Sequence, residues 1–236
     1  MASENFRFKR FTVWHDQCAM KVGTDGVLLE VLADVTAATH LLDIGTGTGL
    51  VALMLAQRNP SMSIDAIEID SKAAKQAAEN VAQSPWPQIR VHCAALQTYT
   101  ANQPYNLIVS NPPYFVNSLK APKAERTTAR HTDSLSFNEL VEGVDRLLSP
   151  AGKFWVILPA DEQTNFCQLA QEKGLYPYRL IHVHPRAEKP AKRIVMGFTR
   201  TQTTTHQEHL VIEKEQRHQY TDAFAQLTAP FYLDRD

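Results

Sequence analysis

The chain predicts an α/β fold, a doubly wound and mostly parallel sheet of seven strands, and three observations carry that reading. Short apolar runs alternate with helix-type segments from His40 to Thr199. A glycine-rich turn, Gly45-Thr46-Gly47-Thr48-Gly49, joins the first of these runs to a helix, and a polar cluster, Asn111-Pro112-Pro113-Tyr114, directly follows another run. Alternation of this kind buries a parallel sheet between helices, and open sheets of that type place their chemistry at the carboxyl ends of the strands.

The elements follow in order. Residues 1–236 read as a single domain, with residues 1–23 a basic, aromatic arm before its core. Thr24 to Asp34 has helical patterning, its start signalled by Thr24 and Asp25. His40 to Ile44 is a buried strand, and Leu50 to Arg58, beyond the glycines, is a helix with Ala and Leu on its inner face. Ser63 to Glu68 is a strand ending in an acid, Ser71 to Asn80 a helix, and Ile89 to Ala94 and Tyr105 to Ser110 two further strands. Ser136 to Leu148 is a helix, Lys153 to Leu158 a strand, and Glu162 to Lys173 a helix ended by Gly174. Tyr176 to Val183 and Arg193 to Thr199 close the sheet, joined by the proline-bearing basic loop His184 to Lys192. The stretch Tyr114 to Ser134 is long for a loop in such a fold, a sign of function or disorder.

Composition narrows the class. With 44% apolar and 21% charged residues over 236 positions, the chain suits one globular domain. Its three cysteines, Cys18, Cys93 and Cys167, are odd in number and widely spaced, which points to reduced thiols in the cytoplasm rather than a disulfide framework or a zinc site. No signal-type segment opens it and no apolar run approaches the ~18 residues of a membrane span. Cys93 and the tryptophans Trp14, Trp86 and Trp155 read as packing residues. His182 and His184 share a strand face but have no third ligand in view, so no metal is expected.

The chemistry concentrates in two motifs. Asn111 offers a side-chain carbonyl, Pro112 a backbone carbonyl, and Tyr114 a ring face, a set suited to holding a planar amide or amino group. Two fixed acceptors would orient the two hydrogens of an exocyclic amine; a simple Asn-Pro turn is the alternative reading. In the second motif, glycines at alternate positions let a ligand lie against the backbone, and Glu68, 19 residues after Gly49, can accept from ribose hydroxyls. The spacing is not the G-x-G-x-x-G of nicotinamide-binding proteins.

At these residues the chain resembles a known family. Asp43-Ile44-Gly45-Thr46-Gly47-Thr48-Gly49 is similar to the S-adenosylmethionine-binding loop of class I methyltransferases, which have a Rossmann-like fold. Asn111-Pro112-Pro113-Tyr114 resembles the N-P-P-Y motif of those that methylate amino or amide nitrogens. Phe11, His15 and Met20 to Leu29, with Gln83-Ser84-Pro85-Trp86 and Gln226 to Leu233, are similar to bacterial valine-tRNA adenine-N6 methyltransferases, so the likeness covers nearly the whole chain. It implies an enzyme that methylates an adenosine beside the anticodon; the sequence does not give the oligomeric state, and a monomer is the expectation. It also implies cofactor contacts from Lys21, Thr24, Asp43, Gly45, Thr46, Gly47, Gly49, Glu68, Ile69, Ala95, Leu96 and Asn111. Asn111, Pro112, Pro113 and Tyr114 would be catalytic.

One departure stands out. Ala95 occupies the position where many class I enzymes carry an acid toward the cofactor's adenine, which leaves backbone groups, apolar contacts or Gln97 to recognise it.

The net charge of −1 excludes indiscriminate coating of nucleic acid, yet basic residues cluster. Lys120, Lys123, Arg126, Arg130 and His131 follow the N-P-P-Y motif; Arg186, Lys189, Lys192, Arg193 and Arg200 form a second stretch; Arg7, Lys9, Arg10 and Lys21 form a third. Of these, Lys120, Lys123, Arg126, Arg130, His131, Lys189, Lys192 and Arg193 are the expected RNA contacts. Methylation of another nucleic-acid base, in ribosomal RNA or DNA, or of a protein glutamine amide, stays open at this point.

Overall fold

The structure, a computed structural model, describes residues 4–18, 21–113, 135–216 and 219–233. The expectations placed on Tyr114, Lys120, Lys123, Arg126, Arg130 and His131 lie outside the described residues. The arm folds as a small antiparallel hairpin of β1 (Asn5–Arg7) and β2 (Thr12–Trp14), which α1 (Thr24–Leu32) follows. Next come β3 (His40–Ile44), α2 (Leu50–Arg58), β4 (Ser63–Glu68), α3 (Ser71–Ala82), β5 (Arg90–Cys93) and β6 (Tyr105–Ser110). The chain then forms α4 (Phe137–Leu147), β7 (Leu148–Pro159), α5 (Gln163–Glu172), β8 (Tyr176–His184), β9 (Arg193–Thr199), β10 (His206–Val211) and α6 (Asp222–Thr228).

The main sheet has eight strands in the order β10-β8-β9-β7-β6-β3-β4-β5, all parallel except β9. The seven expected strands are all present, and the eighth, β10, is the correction. Its sequence, HQEHLV, is exposed at its first four positions and buries only Leu210, so the edge strand shows no apolar alternation. The helix α6 is likewise an addition to the expected elements; the side chain of Thr221 caps it by accepting from the Phe224 N–H.

The strands are buried on both faces, as a parallel sheet requires. Successive residues feed opposite layers. Leu41, Leu107 and Val109 pack with α1, α2 and the arm residues Phe8, Phe11 and Val13, while Leu42, Ile108 and Phe154 pack with α4 and α5 on the other side. Trp86 and Trp155 are core residues as expected; Trp14 and Cys93 are not, being exposed because the first sits outside the hairpin and the second ends the edge strand β5.

Parallel pairing puts the carboxyl ends of β3, β4, β5, β6, β7, β8 and β10 on one edge of the sheet, together with the amino end of the antiparallel β9. Local capping fixes which groups reach that edge. Asp70 starts α3 by accepting from the N–H groups of Lys72 (2.9 Å) and Ala73 (2.8 Å). Ser136 and Glu139 form a capping box at the start of α4.

Candidate active site

At the carboxyl ends of β3, β4, β5 and β6 lies a cavity of about 450 Å³, within the range of roughly 300–1,000 Å³ usual for small-molecule sites. Gly45, Gly47, Glu68, Ile69, Ala95, Leu96, Asn111, Pro112 and Pro113 line it, so both sequence motifs meet in one place.

The glycine turn forms its floor. Gly45, Gly47 and Gly49 have φ of 72°, 55° and 81°, a left-handed region that side chains with a Cβ rarely enter. A Cβ at Gly45 or Gly47 would meet no atom within 4 Å, whereas at Gly49 it would meet Ala77. The first two glycines therefore leave open space toward the cavity, and the third allows α2 and α3 to approach. The N–H groups of Gly45 and Thr46 both donate to the Ile67 carbonyl at 3.0 Å, tying the turn to β4.

Glu68 is held by the same turn. Its Oε2 accepts from Gly47 N–H at 2.9 Å and its Oε1 from Asp70 N–H at 3.0 Å. Each carboxylate oxygen has a further lone pair, so the group can accept a second hydrogen bond on each side, the pattern a vicinal diol demands. Ile69, a large side chain 56% exposed, lies against the same space and offers an apolar face. Across the cavity, Ser110 Oγ donates to the Ile44 carbonyl at 3.0 Å and pins β6 to β3 just before Asn111.

Other expected cofactor residues lie elsewhere. Asp43 is buried under the turn, where Oδ2 accepts from Thr46 Oγ1 at 2.5 Å. Burial pushes its pKa up to about 7 against the opposing hydrogen bonds from Thr46 and the Ala52 amide, and Glu68 adds to the rise. Asp43 and Thr46 shape the loop rather than line the cavity; Lys21 and Gly49 do not line it either, and Thr24 faces a second cavity.

The arm supplies wall residues that no local sequence signal marks. Gln17 and Cys18 line the cavity because the arm runs along α3: Gln76 Oε1 accepts from Gln17 N–H at 3.1 Å and its Nε2 donates to Asp16 at 2.6 Å. These hydrogen bonds span about 60 positions in sequence, beyond the reach of any local pattern. Burial, then Glu68, Asp70 and Asp16, push the Cys18 thiol up to about 11, so it is no nucleophile near neutral pH. Gln97 and Glu139, 3.0 Å apart, complete the far wall.

The basic stretches divide. Lys189 and Lys192 are exposed on the same sheet edge, at the β8–β9 connection. Arg193 is turned inward, its Nε donating to Asp25 Oδ2 at 2.8 Å and joining β9 to α1. Lys192 and Arg193 border the second cavity, also about 450 Å³, with Asp25, Tyr220 and Tyr232. Arg200 lies at the opposite edge, because β9 is antiparallel, and pairs with Asp145 at 2.7 Å. Arg10 stacks on Trp86, beyond the far end of α3 from the cavity. Arg200 of the second basic stretch and Arg10 of the third therefore lie away from the cavity. Among the described residues no group of three potential ligands could hold a metal, and no helix is long and apolar enough to cross a membrane.

Comparison with known proteins agrees with this geometry. The family model described as "Methyltransferase small domain" matches residues 18–172. A protein of Bacteroides fragilis named tRNA1(Val) (adenine(37)-N6)-methyltransferase is 51% identical over 237 aligned residues, covering 99% of each chain. A protein of the same name from Parabacteroides distasonis is 46% identical, again over 99% of both. Among solved structures, a predicted O-methyltransferase from Agrobacterium tumefaciens aligns with a TM-score of 0.68 and 17% identity, covering 90% of this chain and 99% of that one, and shares the fold. Matched by the family model over well over half its length, the chain belongs to the methyltransferase small domain family.

Proposed function

We propose that this protein transfers a methyl group from S-adenosylmethionine to the N6 amine of an adenosine in tRNA, at position 37 of a valine tRNA. The observation that carries the proposal is the meeting of Asn111-Pro112-Pro113 with the Gly45–Gly47 turn and Glu68 in one cavity. The names of relatives about half identical along their whole length support the choice of substrate.

The residues present fit the cofactor. The open side of Gly45 and Gly47 leaves room for a chain against the backbone, Glu68 offers paired acceptors for a ribose, and Ile69 and Leu96 offer apolar faces for a purine. When bound, S-adenosylmethionine supplies an electrophilic methyl on a sulfonium. Asn111 and the Pro112 carbonyl would accept the two hydrogens of the adenine amine, and so would orient its lone pair and stabilise positive charge developing on nitrogen. The proton then leaves to Asn111 or water, so no strong base is needed. Tyr114 is assigned to stack on the base turned out of the anticodon loop.

Lys189 and Lys192, with Lys120, Lys123, Arg126, Arg130 and His131, are assigned to phosphates. Arg193, next to Lys192 in sequence, orders β9 against α1.

The test separates chemistry from binding. Asn111→Ala is expected to lower the methyl-transfer rate by roughly two orders of magnitude, by analogy with the loss of one preorganised polar group, with tRNA affinity close to that of the parent. Turnover near the parental rate would remove Asn111 from the mechanism. If Lys189 and Lys192 hold phosphates, changing both to Ala flattens the salt dependence of tRNA binding by about one log–log unit for each phosphate that is no longer neutralised.

A further inference from the structure

We propose that Gln97 is the residue that selects adenine in the cofactor, its side-chain carbonyl accepting a hydrogen bond from the purine's exocyclic amine. The inference rests on the cofactor reading above and deepens it. Glu68 at the end of β4 is the diol acceptor, and Asn111 at the end of β6 marks the reacting end. The strand order β6-β3-β4-β5 then carries the base past Glu68 to the wall built after β5, by Ala94, Ala95, Leu96 and Gln97. Of those four side chains three are apolar, and Ala95 in particular offers no acceptor. A 6-amino group placed there has two hydrogens to donate, and Gln97 is the one side chain of the four with an acceptor for them.

Gln97 is oriented to supply that partner. Its Nε2 donates to Glu139 Oε1 at 3.0 Å. A carboxylate only accepts, so this hydrogen bond assigns the amide nitrogen to Glu139 and leaves the carbonyl as a spare acceptor on a residue that lines the cavity. Glu139 stays a carboxylate because the Ser136 hydroxyl, then the Ser136 N–H and Gln97, hold it below the usual range. Its Oε2 is occupied by Ser136 N–H at 2.8 Å and Ser136 Oγ at 2.7 Å. Glu139 thus has two duties, capping α4 and aiming Gln97. The Gln97 side chain is a recognition group at the purine edge, remote from methyl transfer.

The experiment is calorimetry of the full chain with S-adenosylhomocysteine and with its analogue carrying purine in place of adenine, which lacks only the amine. The parent is expected to prefer the adenine compound about fivefold to tenfold, the equivalent of one net hydrogen bond. Gln97→Leu is expected to bring that preference down to about twofold or less, with affinity for the purine compound close to parental. Adding Ala95→Asp to Gln97→Leu places an acceptor on the same wall and is expected to restore the preference. A Gln97→Leu protein that still discriminates like the parent overturns the proposal. So does a parent that binds both compounds equally well, and in that case the cofactor reading survives. A parent that binds neither compound overturns the cofactor reading and this inference with it.

Discussion

Asn80 holds Trp14 as a neighbouring strand would: Oδ1 accepts from Trp14 N–H and Nδ2 donates to the Trp14 carbonyl, both at 2.9 Å. The same Nδ2 also donates to the Thr48 carbonyl at 2.9 Å. One buried side chain therefore ties the arm, the glycine turn and α3 together.

Asn80→Ala would leave three backbone groups short of a partner, the Thr48 carbonyl in a buried setting and the two of Trp14 in a partly buried one, and the buried group alone costs about 1–3 kcal/mol if unsatisfied. The variant is expected to lose at least ~1–3 kcal/mol in urea unfolding and to gain a protease-sensitive site within residues 14–18. Parental stability together with an uncut arm would show that the clip does not hold the arm.

Glu68 joins two backbone amides to the proposed ribose. Glu68→Ala is expected to weaken S-adenosylmethionine binding about 10- to 100-fold, the equivalent of ~1.5–3 kcal/mol for hydrogen bonds to a charged group. Gly47→Val is expected to do at least as much, since a β-branched residue is strained at φ 55° and would enter the open side of the turn. Calorimetry measures both; parental affinity in either variant would contradict the role assigned to that residue.

Two buried acids make stability fall as pH rises. Asp43 keeps its proton to about pH 7 in the fold, while an unfolded aspartate loses it near ~4. Between these values the native state binds more protons, so unfolding free energy declines with increasing pH. Glu30 acts in the same direction: burial, with Asp43 nearby, raises its pKa well above normal, and neither carboxylate oxygen has a hydrogen-bond partner among the described residues. Urea unfolding of parent and Asp43→Asn at pH 5 to 8 is expected to show the variant gaining on the parent as pH rises. A difference that does not change with pH would contradict this.

Most of the sheet was legible in the sequence because its strands are buried on both faces and punctuated by strong signals. β3, β4, β6 and β9 begin and end at the residues the pattern indicates. Part of the cavity's lining was legible for the same reason: Gly45, Gly47, Glu68 and Asn111 sit at strand ends or in the turns that directly follow them, where local pattern fixes position. What local pattern could not show was set by distant partners. Gln17 reaches the cavity through Gln76, Arg193 is drawn to Asp25 across the sheet edge, and β10 pairs with β8 through backbone bonds that leave an exposed, polar strand. Asp43 had the identity of a site residue, yet burial made it a support for the turn.

The cavity where the two motifs meet is proposed to methylate the N6 amine of a tRNA adenosine. Its most direct test is mass spectrometry of nucleosides from valine tRNA incubated with the protein and isotope-labelled S-adenosylmethionine, with an Asn111→Ala control. Labelled N6-methyladenosine at position 37 is expected with the parent and about a hundredfold less with the variant. Label in another nucleoside, no label in tRNA while ribosomal RNA, DNA or a glutamine peptide is labelled, or equal labelling by the Asn111→Ala protein would contradict it.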